Sequence, residues 1–370
     1  VATSDEQLKY QIALTLLPGI GPVLARYLVG YCGSVETVFK TKKQQLEKIP
    51  GIGDERAAAI INHSVFERAE KEVLFIRKHN ITTLFYTDKD YPLRLKNCED
   101  APVLLFHKGN SDLNAKRMVA IVGTRNSTSY GKEITEELVK DFMKYNVTVI
   151  SGMAYGIDII AHKAAVKNNL PTIGVLAHGL DRLYPAIHRP VAEKMIDNGG
   201  LITEFLSETS PDKENFPQRN RVVAGMADAV IVIESALKGG ALITADIANS
   251  YDRDVFAVAG RVNETYSQGA NDLIRRNKAG LIQNAEHVAE MMNWDSGDSK
   301  KKQERQLKIF RELNGEEKVL VDLLKESGKL DIDTLMIRSG LTASKVNSTL
   351  FTLEMEGVLK TFPGKVFELS

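Results

Sequence analysis

The run Met118-Val-Ala-Ile-Val-Gly-Thr-Arg-Asn-Ser-Thr-Ser-Tyr-Gly-Lys132 decides the fold. Its first five residues are apolar without alternation, as in a strand covered on both faces. A glycine turn follows, and a helical pattern then runs from Lys132 to Lys144. The same unit recurs along the chain. Strands are predicted at Val147–Ser151, Thr172–Leu176, Leu201–Glu204, Ala229–Ile233 and Val255–Ala259, with helical patterns at Asp158–Lys167 and Leu242–Ser250. Strand–helix alternation predicts an α/β domain with a doubly wound parallel sheet. Ligands of such sheets sit beyond the carboxyl ends of the strands, and this chain concentrates its glycines and polar residues there.

Each predicted strand leads into a distinctive segment. The first is followed by Gly123, Thr124, Arg125 and Asn126, and the second by Ser151-Gly-Met-Ala-Tyr155-Gly156-Ile-Asp158 with His162 and Lys163. His178-Gly179 and Tyr184-Pro185 follow the third, and Lys213-Glu-Asn-Phe216-Pro-Gln-Arg219-Asn220-Arg221 the fourth. After the fifth come Glu234, then Gly239, Gly240 and Thr244. Glycine turns that open helices expose backbone N–H groups, and Arg and Lys add fixed positive charge, a combination suited to phosphate. The spacing from Gly123 to Gly131-Lys132 is wrong for a Walker A loop, and Gly152 and Gly156 do not make the dinucleotide fingerprint. Neither ATP nor NAD is supported, and no cofactor is expected.

Phe216, beside Lys213, Arg219 and Arg221, reads in two ways. It is a ring packed against Pro217, or a platform on which an unpaired base stacks while cations take phosphates. Arg219 and Arg221 likewise read as DNA contacts or as an internal salt-bridge network with Glu204 or Glu234. Arg125, Lys213, Phe216, Arg219 and Arg221 all follow strands of one sheet, which predicts a single edge for them. Ser151, Asp158 and His162 make a possible catalytic trio, although Asp–His pairs four apart on a helix are more often structural. The histidines are scattered without metal-binding spacing.

Outward from the sheet, Leu17-Pro-Gly-Ile-Gly21 and Ile49-Pro-Gly-Ile-Gly53 repeat one tetrapeptide, each time before an Ala-containing helix. Such a repeat is a sign of helix-hairpin-helix elements, whose turn N–H groups either hold a DNA phosphate or serve a packing module. Arg26, Lys48 and Arg56 are the few cations nearby. At the other end, Gly315 to Ser370 reads as three helices and a hairpin around Pro363-Gly364, a winged helix with Lys345, Glu354 and Glu356 on its third helix. The expected divisions are 1–80 for the helix-hairpin-helix domain, 81–295 for the sheet domain, 296–306 for a polar linker and 307–370 for the winged helix.

Composition bounds the rest. Of 370 residues, 48 are Lys or Arg and 48 are Asp or Glu, so any nucleic-acid binding rests on a local patch. Two cysteines, Cys32 and Cys98, exclude a disulfide framework. No apolar run nears the length of a membrane span and no signal-peptide pattern opens the chain, so a soluble, cytoplasmic protein is expected. The first residue is Val, which predicts a trimmed or missing natural start.

Together these motifs resemble the DNA-processing protein A (DprA/Smf) family. The resemblance rests on Val122-Gly-Thr-Arg-Asn126, Ser151-Gly-Met-Ala-Tyr-Gly-Ile-Asp158, Phe216-Pro-Gln-Arg-Asn-Arg221, Gly240-Ala-Leu-Ile-Thr-Ala245 and Ser267-Gln-Gly-Ala-Asn-Asp-Leu-Ile274. It implies a Rossmann-like domain and a SAM-like helical domain. It further implies a non-enzymatic protein that binds single-stranded DNA, protects it in natural transformation and loads RecA recombinase, as a homodimer. The resemblance implies DNA contacts by Arg125, Lys213 and Phe216; with the strand-end segments, the expected binding residues are Gly123, Thr124, Arg125, Asn126, Lys163, Lys213, Phe216, Arg219, Asn220, Arg221, Gly239, Gly240 and Thr244. The rival reading is a nucleotide or nucleoside-phosphate hydrolase on a related fold. It rests on the Gly239-Gly240 turn and lacks a convincing acid or base beside that turn.

Overall fold

Apolar runs in the middle of the chain become strands of one nine-stranded sheet. The computed structural model describes residues 4–294, 315–355, 358–362 and 365–369. The sheet strands are β1 (Thr82–Phe85), β2 (Leu104–Gly109), β3 (Met118–Val122), β4 (Thr148–Gly152), β5 (Thr172–Val175), β6 (Gly199–Thr203), β7 (Ala229–Val232), β8 (Asp254–Val258) and β9 (Gly280–Ile282). Their order is β1-β2-β6-β5-β4-β3-β7-β8-β9. From β6 to β9 all pairings are parallel, while β2 joins β6 and β1 joins β2 in antiparallel fashion. The chain therefore winds outward from β3 to β6, crosses back to β7 on the other side of β3, and winds outward again. The reversal lies between β3 and β7, where doubly wound sheets bind ligands.

The six predicted strands are all present. β1, β2 and β9 were not predicted: two extend an edge in antiparallel sense, outside the βαβ rhythm, and the third is only three residues long.

Unalternated apolar runs are explained by burial on both faces. Met118, Ala120 and Val122 point into one core with Val222 and Val223, whereas Val119 and Ile121 point into the other with Leu138 and Ala161. The helices, in chain order, are α1 (Asp5–Thr15), α2 (Pro22–Cys32), α3 (Val35–Lys40), α4 (Lys43–Leu46), α5 (Asp54–Ile61), α6 (Val65–Lys78) and α7 (Leu93–Lys96). After them come α8 (Ser129–Asp141), α9 (Ile157–Lys167), α10 (Arg189–Met195), α11 (Asn215–Met226), α12 (Gly240–Ser250), α13 (Gln268–Arg275) and α14 (Ala285–Met291). Thus α8 and α9 cover one face of the sheet, and α11 and α12 the other.

Helices α1 to α6 form a module whose core continues into Phe85, Leu104 and Phe106 of β1 and β2. Both predicted glycine turns are present, between α1 and α2 and between α4 and α5. The module and the sheet form one compact unit, residues 1–296; the second unit spans 297–370.

That second unit contains α15 (Gly315–Ser327), α16 (Ile332–Ser339) and α17 (Ala343–Met355), with β10 (Leu330–Asp331), β11 (Leu359–Phe362) and β12 (Val366–Leu369). Its strands form an antiparallel sheet in the order β10-β12-β11. Leu320, Leu335, Val346, Leu350 and Phe367 share its core. This is the predicted winged helix. The linker at 296–306 and the wing at Pro363-Gly364 lie outside the described residues. Among those residues no helix is long and apolar enough to cross a membrane.

Candidate nucleic-acid interface

The turn after β3 is tied to its neighbours through the backbone. Thr124 N–H donates to the Glu234 carbonyl (2.7 Å) at the end of β7, and Ile157 N–H donates to the Thr124 carbonyl (3.2 Å) from the start of α9. Gly156 makes this approach possible. Its φ is +75°, and a Cβ there would lie 2.1 Å from the Thr124 carbonyl oxygen.

Across from that turn, the segment after β6 enters α11 with Asn215-Phe216-Pro217 in its first turn, where a missing N–H costs little. Residues three and four apart share a helix face. Phe216, Arg219, Asn220 and Val223 accordingly line one crevice with Gly123, Thr124, Arg125 and Lys213. The first turn of α12 closes it: Gly239, Gly240 and Thr244 complete a cavity of about 540 Å³. Gly239 is the N-cap of α12 and supplies no side-chain oxygen, so first-turn N–H groups remain for a ligand at the positive end of the helix.

The cations of the crevice divide by environment. Arg125 and Lys213 are exposed and form no ion pair among the described residues. The Arg125 guanidinium lies over the Phe216 ring, 5.2 Å from its centroid. Such a contact is worth roughly 0.5–1 kcal/mol at an exposed site. It holds a cation and a ring together before any ligand arrives.

Arg219 instead lies in the buried floor. Its Nη1 donates to the Val175 carbonyl (2.6 Å) and its Nε to Asn220 Oδ1 (3.1 Å). The guanidinium fits because Gly152 has no side chain: a Cβ there would stand 2.2 Å from Nη1. Asp158 lines the same crevice and is buried. Burial pushes its carboxyl up, against the opposing pull of the Arg219 charge.

A smaller hollow adjoins the crevice at the ends of β4 and β5, lined by Tyr155, His178, Tyr184 and Phe216. The Tyr184 ring is 6.5 Å from that of Phe216. Tyr184 was not among the predicted site residues, although it follows the third predicted strand and the same strand-end argument would have found it. Asp158 and Ser235 are further wall residues.

Three predicted site residues stand elsewhere. Arg221 pairs with Glu204 and also donates to the Asp100 carbonyl. It is two residues beyond Arg219, about 200° around the helix, and therefore faces away from the crevice. Of the two readings of Arg221, the internal salt bridge with Glu204 is the observed one. Lys163 is exposed in a groove between α8 and α9, with Lys132 and Glu136. Asn126 turns outward and donates to the Tyr266 hydroxyl (3.1 Å).

The possible catalytic trio is also dispersed among internal partners. Ser151 donates to the Ile121 carbonyl (2.6 Å); His162 Nε2 meets the Gly152 carbonyl (2.9 Å) and Nδ1 the Thr172 hydroxyl (2.7 Å). Burial lowers the His162 pKa to about 4. Glu234 is buried too and accepts from the Thr128 N–H (2.9 Å). In the helical module, Arg56 bridges the two glycine turns by donating to the Gly19 (3.0 Å) and Gly51 (2.8 Å) carbonyls. Lys345 in the winged helix pairs with Glu316.

Family comparison covers all three parts of the chain. The family model described as DNA recombination-mediator protein A matches residues 82–293, a SAM-like helix-hairpin-helix tandem matches 12–63, and a DprA winged helix domain matches 311–365. The DNA processing protein DprA of Bacillus subtilis is 37% identical over 238 residues, covering 64% of this chain and 80% of the relative. Protein Smf of Escherichia coli is 33% identical over 288 residues, covering 74% of each. The X-ray structure of DprA from Streptococcus pneumoniae superposes with a TM-score of 0.65 at 28% identity, covering 78% of this chain and 98% of that one. DNA processing protein A from Helicobacter pylori, described for its unique single-stranded DNA binding mode, gives a TM-score of 0.53 at 30% identity, covering 58% and 97%. The chain thus belongs to the DNA recombination-mediator protein A family, that of the DNA processing proteins DprA and Smf.

Proposed function

We propose that this protein binds single-stranded DNA in the crevice between β3 and β7 and acts as a recombination mediator without enzymatic activity. The observation that carries the reading is the pairing of two exposed cations without acid partners among the described residues, Arg125 and Lys213, with the Phe216 ring at the sheet reversal. Arg125, Lys213 and the first-turn N–H groups of α12 hold phosphates, while a base stacks at Phe216. Stacking is worth ~1–3 kcal/mol per base and tolerates any sequence, so binding is largely sequence-independent. Arg219 acts from the floor as fixed charge and by orienting Asn220. The Helicobacter pylori relative, described for its single-stranded DNA binding, lends support. Within this reading the protein protects incoming DNA, hands it to RecA and works as a homodimer. Against hydrolysis, the acid lining the crevice, Asp158, is buried and faces the Arg219 charge.

Mobility shifts with short oligonucleotides across a salt series test this directly. Single strands bind more tightly than duplex, and affinity falls as salt rises because neutralised phosphates release counterions. Arg125→Ala and Lys213→Glu each weaken binding by roughly tenfold while the protein stays folded. Wild-type affinity in both variants would defeat the assignment, as would release of free base from nucleoside monophosphates.

A further inference from the structure

Polar side chains of the helical module end on the connection between β6 and α11, which carries Lys213 and leads into Phe216 in the first turn of α11. Glu72 on α6 is buried and accepts from both the N–H (2.9 Å) and the hydroxyl (2.5 Å) of Ser207. It pairs with Arg68 (2.8 Å), whose Nη2 donates to the Ser207 carbonyl (2.6 Å). Every polar group of Ser207 is therefore held by one helix of the module. A second arm works from behind. Arg26 on α2 donates to the carbonyls of Cys98 (3.3 Å), Glu99 (3.4 Å) and Ala101 (3.1 Å). The Asp100 carbonyl between them accepts from Arg221, which in turn pairs with Glu204 at the start of the connection.

Beyond Ser207 the ties are sparser. Glu208 N–H donates to Asp181 (3.0 Å), and from Ser210 to Asn215 the bonds are local, from Asp212 N–H to Ser210 (2.9 Å) and from Asn215 N–H to Asp212 (3.1 Å). Lys213 stands in this stretch, so its location depends on where Ser207 is fixed. An unpinned connection would have to be ordered by the DNA itself, at a loss of affinity.

We propose that the helical module fixes the DNA-contacting connection, with Glu72 as the positioning residue that sets Lys213 opposite Arg125. This rests on the crevice being the DNA site. It also assigns work to the module in which Arg26 and Arg56 bind protein carbonyls and not phosphate.

The test is a double-mutant cycle on the full chain, read by fluorescence anisotropy of a labelled oligothymidine across a salt series. Glu72→Ala weakens binding by roughly 3- to 10-fold, and this loss vanishes when Lys213→Ala is already present. The log–log salt slope of Glu72→Ala shallows by about 0.7, the value for one lost phosphate contact on a single strand, which loss of stability alone would not produce. Glu72→Gln, which keeps an acceptor for the Ser207 N–H, restores part of the affinity. Ser207→Ala serves as the same probe if Glu72→Ala does not fold. Wild-type affinity in a folded Glu72→Ala or Ser207→Ala, or an undiminished loss in the Lys213→Ala background, overturns the positioning role alone. Wild-type affinity in Lys213→Ala and Arg125→Ala overturns the crevice assignment and this role with it.

Discussion

Arg219 and Arg221 are two positions apart, yet one floors the crevice and the other clamps Glu204 on the far side of the same helix. Residue type alone marks both as phosphate ligands; their angular separation on α11 decides between them. His162 illustrates the same dependence on surroundings. It is fully buried between Gly152 and Thr172, and desolvation holds its pKa near 4, below the ordinary 6.5. As pH falls below 6.5, the unfolded chain takes up a proton that the folded chain refuses until about pH 4, so stability is lost across that window. The loss is about 3 kcal/mol. Urea unfolding at pH 7.5 and pH 4 measures it: wild type loses about 3 kcal/mol more over the interval than His162→Gln. Equal losses would mean that this imidazole titrates as it does in water.

At the scale of elements, the predicted strand ends match the observed turns because a buried parallel strand announces itself by an unbroken apolar run. The segment 213–221 was read as a charged stretch following a strand, and most of it is the beginning of α11. After Phe216, its apolar residues come only in the second half of the helix, from Val222 to Met226, and Pro217 sits where a first turn accepts it. The hairpin-like edge of β1 and β2 was illegible for another reason: antiparallel additions follow no βαβ period. The turn from β4 into α9 makes a sharp demand on a single position. In Gly156→Ala the new Cβ meets backbone at Thr124 and Arg125, which cannot swing aside, at a positive φ. Chemical denaturation is expected to show a loss of about 3 kcal/mol, with single-stranded DNA binding falling in step as the β3 turn is displaced. A loss under 1 kcal/mol would show that this turn is more pliable than its contacts imply.

For the whole molecule, every residue of the crevice and both anchoring arms lie in the unit 1–296, and the winged helix has a core of its own. A chain ending at Ser296 is therefore expected to fold and to keep its affinity for short single strands within about twofold. Anisotropy titration of that truncation against the full chain measures this; a tenfold loss would make the winged helix part of the binding surface. The order of strands and turns, the two glycine-framed hairpins and the gathering of Arg125, Lys213, Phe216 and Arg219 at one sheet edge could be read from the linear chain, because apolar periodicity and turn chemistry are local properties. Which cations stay exposed at the crevice and which turn to protein carbonyls could not. That choice depends on helix phase and on contacts between residues more than a hundred positions apart, such as Glu72 with Ser207 and Arg221 with Asp100, and these arise only when the layers close on one another.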